Sequence, residues 1–358
     1  MVGEAATRWL TMSSDNRTDE SAAVDPVAYF LQDMTFHGRT ERTRDAYERV
    51  LRDFEQFIET RRGTTLDAAD RRACMAWVHS LRDEHAPSTV ASYASYVHRF
   101  YAYMTQVGEL ESNPMALVTE EMDESIDTDP ARRDVSVPEM RAFVTSLSHP
   151  LERALVGTLL KTGMRVGECC NLDVRDLHLD DDEVQAAFDV PHRGRLEGRP
   201  DSVYVSSEPA RGEVYNGEER NASNKRKRDT VVPVDSELKR LLKAWLAVRP
   251  DTTSAAEPLF CSTSEWGDRA TPSMVRSMVA EQARERGWYR QGGDSAENVT
   301  PHYFRHFFTT HLRDRTGDRG VVKYLRGDVA SDVIDTYTHN WGDRVRTVYE
   351  ANIYQLLP

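Results

Sequence analysis

From Asp25 onward the apolar residues recur at helical spacing. Val27, Phe30 and Leu31 open the pattern, and Tyr47, Val50, Leu51, Phe54 and Phe57 form a longer stripe. Two further helices are predicted, one over 67–84 and one that takes Ser88 or Thr89 as its cap and runs to Glu109. Asn113-Pro114 closes this group, and the acidic stretch from Glu120 to Pro130 offers little to bury. The expected organisation is a disordered polar tail over 1–24, a helical domain over 25–115 and a linker over 116–134.

A second domain is expected to open at Ser136-Val-Pro-Glu139, a capping box with proline early in the helix. Leu151, Leu155, Leu159 and Leu160 build a helix that stops at Thr162-Gly163. Short strands are predicted at 174–179, 202–206 and 230–234. The last leads into an amphipathic helix carrying Leu238, Leu241, Leu242, Trp245 and Leu246; Thr271-Pro272 then starts a helix with Met274, Val275, Met278 and Val279. Thr300-Pro301 starts another, which puts His302 and Arg305 on one face above Tyr303, Phe304, Phe307, Phe308 and Leu312. The fold class is mainly α with a small antiparallel β-sheet in the C-terminal domain. The polar stretch over 180–223 reads as an acidic insertion; its Asp180-Asp-Asp-Glu183 run is a solvated loop rather than a cation site.

Composition changes the picture in one respect. The net charge of −13 argues against nucleic acid if the chain is taken as one object. Yet only six of the 46 basic residues are lysines, so arginine dominates the cations beside 59 carboxylates. An acidic, lysine-poor composition resembles that of proteins from salt-loving archaea. In strong salt counterion release is a weak driving force, so a DNA contact must rest on close, directional bonds. Arg39 to Tyr47 and Ser92 to Tyr101 are either DNA-facing or solvated helix faces. No run reaches the roughly 20 apolar residues of a membrane span, and a cytoplasmic protein is expected. Cys74, Cys169, Cys170 and Cys261 lack metal-site spacing and read as core residues.

Four segments carry candidate chemistry: Thr162-Gly-Met-Arg-Val-Gly-Glu168, the basic turn Asn224-Lys-Arg-Lys-Arg-Asp-Thr-Val-Val-Pro-Val234, His302-x-x-Arg305, and Asp335-Thr-Tyr337-Thr-His339. In this order and spacing they resemble the tyrosine recombinases of the phage integrase family, over about Ser136 to Gly342. The N-terminal helices match that family's core-binding domain in size and placement. The resemblance implies a two-domain, clamp-like architecture. It also implies a catalytic set of Arg165, Lys225, His302, Arg305 and the nucleophile Tyr337, with Glu168 supporting Arg165. It implies cleavage through a 3′-phosphotyrosyl link with neither metal, ATP nor other cofactor, on double-stranded DNA with paired sites. The expected assembly is a homotetramer on two sites, monomer or dimer when free; the helix over 343–358 either packs on its own domain or, as the resemblance favours, is exchanged between subunits.

The chemistry fits those residue types. A phenol of pKa about 10 needs cations or a base to attack at neutral pH. Paired guanidinium donors suit the non-bridging oxygens of a phosphate whose charge builds in the transition state. One position departs from the family pattern: Asp328, nine residues before Tyr337, stands where histidine or tryptophan is usual. A carboxylate there accepts hydrogen bonds and repels a phosphate, and Asp328→His is expected to keep or raise cleavage. The alternatives are a DNA-binding protein with this fold and no strand exchange, which Asp328 favours, and an enzyme like the type IB topoisomerases.

Overall fold

The computed structural model describes residues 25–127, 130–188, 190–265, 267–328 and 341–357. The chain divides into two compact units, Met1–Asp129 and Pro130–Pro358.

The first unit holds α1 (Pro26–Phe36), α2 (Glu41–Arg62), α3 (Arg71–Arg82), α4 (Pro87–Gln106) and α5 (Ala116–Glu121). Side chains start three of these helices: Asp25, Thr40 and Asp70 each accept a first-turn amide. Gly63, at φ 62°, ends α2 in the left-handed region. Phe30, Leu51, Phe54, Trp77, Phe100 and Tyr101 form the core. Two boundaries differ from the expected ones. α3 starts at Arg71 rather than at 67, because the Asp70 side chain accepts from the Ala73 amide at 2.8 Å and so caps the helix there. Pro87 at the first helical position starts α4, ahead of both candidate caps, since its fixed φ suits that position. The stretch expected as linker contributes α5, because Met115 and Val118 are buried on one face.

The second unit begins with α6 (Val137–Ser146), whose Ser136–Glu139 capping box is formed in both directions. α7 (Pro150–Thr162) and α8 (Val166–Cys170) follow. A three-stranded antiparallel sheet takes β2 (Ser202–Val205) as its centre, between β1 (Leu177–His178) and β5 (Thr230–Pro233). Val203 faces Val232 across the β2–β5 pair, and both are buried. The span expected as an insertion is therefore part of the scaffold. Besides β2 it carries α9 (Asp182–Ala187) and a hairpin of β3 (Val214–Tyr215) and β4 (Glu218–Glu219). Asp181 caps α9 and pairs with Lys243, so that acidic run has a structural use. Arg220, directly after the hairpin, grips buried Asp173 through two nitrogens at 3.0 and 2.8 Å.

α10 (Ser236–Leu246), α11 (Pro272–Glu285), α12 (Pro301–Thr316), α13 (Arg319–Arg326) and α14 (Trp341–Asn352) complete the unit. α12 packs on α7, and Phe304, Phe307, Phe308 and Leu312 are buried in one core with Leu155, Leu159 and Trp245. All four cysteines are free and buried. In the single chain α14 lies on α12, α13 and β5 of its own unit. No helix among the described residues is long and apolar enough to cross a membrane.

Candidate active site

Local chain geometry aims each side chain of the site. α7 ends at Gly163, which at φ 64° turns the chain; a Cβ there would overlap the Phe308 ring. The turn presents the Gly163 carbonyl to Arg305 Nη1 at 2.6 Å. Two residues on, Arg165 takes the N-cap position of α8, and Glu168 at the third helical position reaches back to the Arg165 amide at 3.0 Å. The other Glu168 oxygen accepts from Arg165 Nη1 at 2.9 Å. One fully buried carboxylate thus fixes both the backbone and the side chain of Arg165.

Thr300 occupies the N-cap of α12, although its hydroxyl makes no cap bond, and Pro301 leads the first turn. Arg305 is nearly buried, at 3% exposure, so its guanidinium direction is set by the fold. Both of its Nη atoms reach the Arg326 carbonyl at 3.2 Å, at the end of α13. Burial, followed by repulsion from Arg165 and Arg326, pulls its pKa down to about 9, and it stays charged at neutral pH. His302 lies on the open side of α12. Its pKa is held below the ordinary histidine value by desolvation first and then by Arg132, Arg305, Arg165 and Arg326. A hollow of about 330 Å³ opens beside it, lined by Arg132, Tyr289, Asn298, Thr300 and Tyr303. Tyr303 is no rival nucleophile: its hydroxyl donates to the Arg133 carbonyl at 2.8 Å, and burial pushes its pKa up to about 12.

Asp328 joins these parts. Its Oδ1 accepts from Arg305 Nη2 at 3.0 Å and from Arg165 Nη2 at 3.3 Å, and its Oδ2 lies 2.9 Å from Arg326 Nε. Arg326 is therefore one of three arginines on this carboxylate. Arg165, Arg305, Glu168 and Asp328 meet at one place, with His302 on the same helix face as Arg305. Tyr337, with Asp335 and His339 of the fourth segment, lies outside the described residues.

Arg226 is a residue that sequence reasoning missed. It sits in the basic turn beside Lys225 but is fully buried, with Nη2 on Glu168 at 3.1 Å and Nη1 on the Leu325 carbonyl at 3.1 Å. It ties the turn to the Arg165 brace and to the end of α13. On its other side Asn224 is buried against Asn171 and Ser206. Lys225 is exposed between these two anchors, and among the described residues its ammonium has no hydrogen bond or ion pair. The Lys227 amide adds a bond to the Gly327 carbonyl at 3.1 Å, and Arg228 lies over the Tyr324 ring at 5.0 Å. The turn alternates in the fold, with Asn224, Arg226 and Thr230 buried and Lys225 and Lys227 exposed, but the residue types themselves carry no such alternation.

Gly327 makes room for Arg226: it has φ 67°, and a Cβ there would overlap the Arg226 side chain. Gly327→Ala should cost about 1–2 kcal/mol from the left-handed backbone alone, more with the clash, read as a lower urea midpoint. Arg226→Leu should keep most of the packing volume yet leave Glu168 buried with fewer partners. Its expected signature is a fall in strand-cleavage rate larger than any change in DNA affinity, because what is lost is the placement of Arg165 and Lys225.

The electrostatics favour an anion. Four guanidinium groups, of Arg165, Arg226, Arg305 and Arg326, surround the two carboxylates of Glu168 and Asp328, leaving cationic excess at a partly exposed surface. Paired donors fixed by buried acceptors are suited to phosphate oxygens.

Comparison with known proteins agrees. The phage integrase family model matches residues 137–342, and the phage integrase N-terminal SAM-like domain matches 28–108. Tyrosine recombinase XerC of Pelobacter propionicus is 24% identical over 340 residues, covering 91% of this chain and 96% of that one. Tyrosine recombinase XerD of Oceanobacillus iheyensis is 21% identical, covering 92% and 97%. Among solved structures, the Tn1549 transposon integrase in complex with transposon right end DNA aligns with TM-score 0.60 at 18% identity, over 91% of this chain and 98% of that one. A lambda integrase tetramer bound to a Holliday junction aligns with TM-score 0.59 at 14% identity, over 88% and 78%. With the family model spanning the segments that carry both arginines, the lysine, the histidine and the tyrosine, the chain belongs to the phage integrase family and is a site-specific tyrosine recombinase.

Proposed function

We propose that this recombinase cleaves duplex DNA by attack of the Tyr337 phenol on a backbone phosphorus, forming a 3′-phosphotyrosyl bond as the bond to the 5′ oxygen breaks. Arg165 and Arg305 hold the non-bridging oxygens and offset the charge that grows in the five-coordinate transition state. The exposed ammonium of Lys225 gives its proton to the departing 5′ oxygen, and His302, neutral at pH 7 by its lowered pKa, bonds the phosphate or accepts a proton. A 5′ hydroxyl from a partner strand then attacks the phosphotyrosyl bond and releases Tyr337. The observation that carries this reading is the meeting of Arg165 Nη2 and Arg305 Nη2 on one anionic oxygen.

The partner is double-stranded DNA with paired sites, in integration, excision or resolution, and the working assembly is a homotetramer on two sites. The described tetramer of lambda integrase supports that stoichiometry. Exposed Arg39 and Arg42, with Ser92 and Ser95 of α4, are the DNA-facing groups of the first unit. The acidic, lysine-poor composition supports a salt-loving archaeal source, and a reaction on DNA supports a cytoplasmic location.

The test is covalent capture. The protein is incubated with a pool of nicked genomic duplexes over a range of KCl concentrations, and SDS-stable adducts are isolated and sequenced. Adducts carrying a shared site, absent with Tyr337→Phe, are the expected result; binding without an adduct at any salt would favour a fold that binds DNA and has lost the chemistry.

A phosphate beside His302 should raise its pKa. By NMR, its imidazole should titrate below pH 6.5 in the free protein and shift upward on binding nicked duplex. The sign for stability is set by the lowered folded value. Between the folded pKa and the unfolded value of about 6.5 the unfolded chain binds more protons, so this stability is present above pH 6.5 and is lost as pH falls through that window.

A further inference from the structure

The carboxylate of Asp328 stands on the donors that a phosphate would need. Arg305 Nη1 is committed to the Gly163 and Arg326 carbonyls, and Arg165 Nη1 to Glu168. Arg305 Nη2 shares itself between the Arg326 carbonyl and Asp328 Oδ1, and Arg165 Nη2 bonds that same oxygen. Asp328 is 28% exposed in its side chain, so the slot it fills faces solvent on one side. Three like-charged guanidinium groups converge on it, one of them almost wholly buried. Such a cluster is stable only with an anion at its centre.

We propose that Asp328 is an internal stand-in for the scissile phosphate: its carboxylate fills the slot between Arg165 and Arg305 when no DNA is bound and gives it up to the incoming phosphate. The inference rests on the reading of these two arginines as the phosphate clamp. It accounts for an acidic residue where donors are usual: the carboxylate keeps the clamp assembled and desolvated, and leaves by exchange with another anion. Asp328 remains among the influences that hold the Arg305 pKa up, which a phosphate would do in its place. The consequence is selectivity, since only a phosphate presented in the right geometry, with further contacts along the duplex, displaces a tethered carboxylate.

The test uses the full chain and inorganic phosphate as probe, at constant ionic strength set with KCl. Asp328→Asn should melt at a lower temperature than wild type without phosphate, and should bind phosphate about tenfold or more tightly, the scale of one charge-assisted contact regained. Adding Arg305→Ala to Asp328→Asn should remove that gain. On nicked duplex, Asp328→Asn should reach half-maximal adduct formation at lower DNA concentration, and in a wild-type complex Asp328 Oδ1 should lie away from both Nη2 atoms. A variant with no gain in phosphate affinity and a slower saturating rate would make Asp328 a brace and overturn the proposal. So would a complex in which Asp328 keeps both bonds with phosphate bound. If Arg305→Ala in the wild-type background leaves adduct formation intact, the clamp reading itself fails, a result distinct from the other two.

Discussion

Arg305→Ala is expected to lower the single-turnover rate of covalent adduct formation by about 10²–10³-fold, the scale for removing one preorganised donor group from a developing oxyanion. The position makes the loss hard to recover. Arg305 is held at 3% exposure between the Gly163 and Arg326 carbonyls, so no water-borne cation takes its place with the same alignment. Loss of those bonds also leaves the buried Gly163 carbonyl and the part-buried Arg326 carbonyl without this donor, and some stability should go with the activity. Arg305→Lys separates the effects. It keeps the charge and much of the stem packing but cannot span Gly163, Arg326 and the substrate at once. Lysine should therefore restore most of the melting temperature and little of the rate, measured by SDS quench at saturating nicked duplex. A lysine variant with near wild-type rate would mean that charge alone suffices, and that the bonds which aim the guanidinium have no catalytic consequence.

Long apolar stripes are legible in the sequence itself. α2, α7, α10 and α12 each bury residues picked out by spacing, because a helix face that must meet a core imposes its period on many positions. Elements of two to six residues carry too few positions for a period. The β3–β4 hairpin had only its turn to announce it: Asn216-Gly217 adopts φ 53° and 83°, as such turns require, but its flanking strands are two residues each and one is Glu218-Glu219. Arg165, Lys225, His302 and Arg305 stand out through the resemblance of four short motifs to one family, since taken singly each motif has an ordinary structural reading. Arg226 could not be separated from its basic neighbours, since its burial depends on Glu168 and Leu325, both remote in sequence. Asp328 was visible as an anomaly. Its hold on Arg165 and Arg305 depends on the tertiary approach of α8, α12 and the end of α13, which no local pattern reports.

Lys161→Met should destabilise the second unit by about 3–5 kcal/mol, the range for breaking a buried ion pair by removing one partner. Lys161 is fully buried in α7, with Nζ at 2.6 Å from Asp235 Oδ2, Glu237 Oε2 and the Tyr354 carbonyl. Glu237 in turn accepts from the amides of Leu356 and Leu357 at 2.8 and 2.7 Å, while the Tyr349 and Tyr354 hydroxyls donate to the Lys161 and Leu160 carbonyls of α7. One ammonium therefore joins α7, the start of α10 and the segment after α14. Methionine fills the volume but leaves Asp235 and Glu237 facing each other without a cation, so the loss should appear in urea denaturation and as earlier proteolysis of the C-terminal residues. Glu237→Gln in the same chain removes one of the stranded charges, and the double variant should be more stable than the sum of the single effects predicts. The same atoms bear on subunit exchange. A C-terminal helix passed to a neighbour must find an equivalent Lys161 and Glu237 there, or its transfer carries this energetic cost. In chains mixed from wild type and Lys161→Met, any exchange of the helix should therefore favour wild-type receivers, which crosslinking between a cysteine placed at Gln355 of one chain and one at Arg141 of another reads, since those residues are bonded at 3.0 Å within one chain. Equal crosslinking to both receivers would show that the lysine has no part in docking the tail.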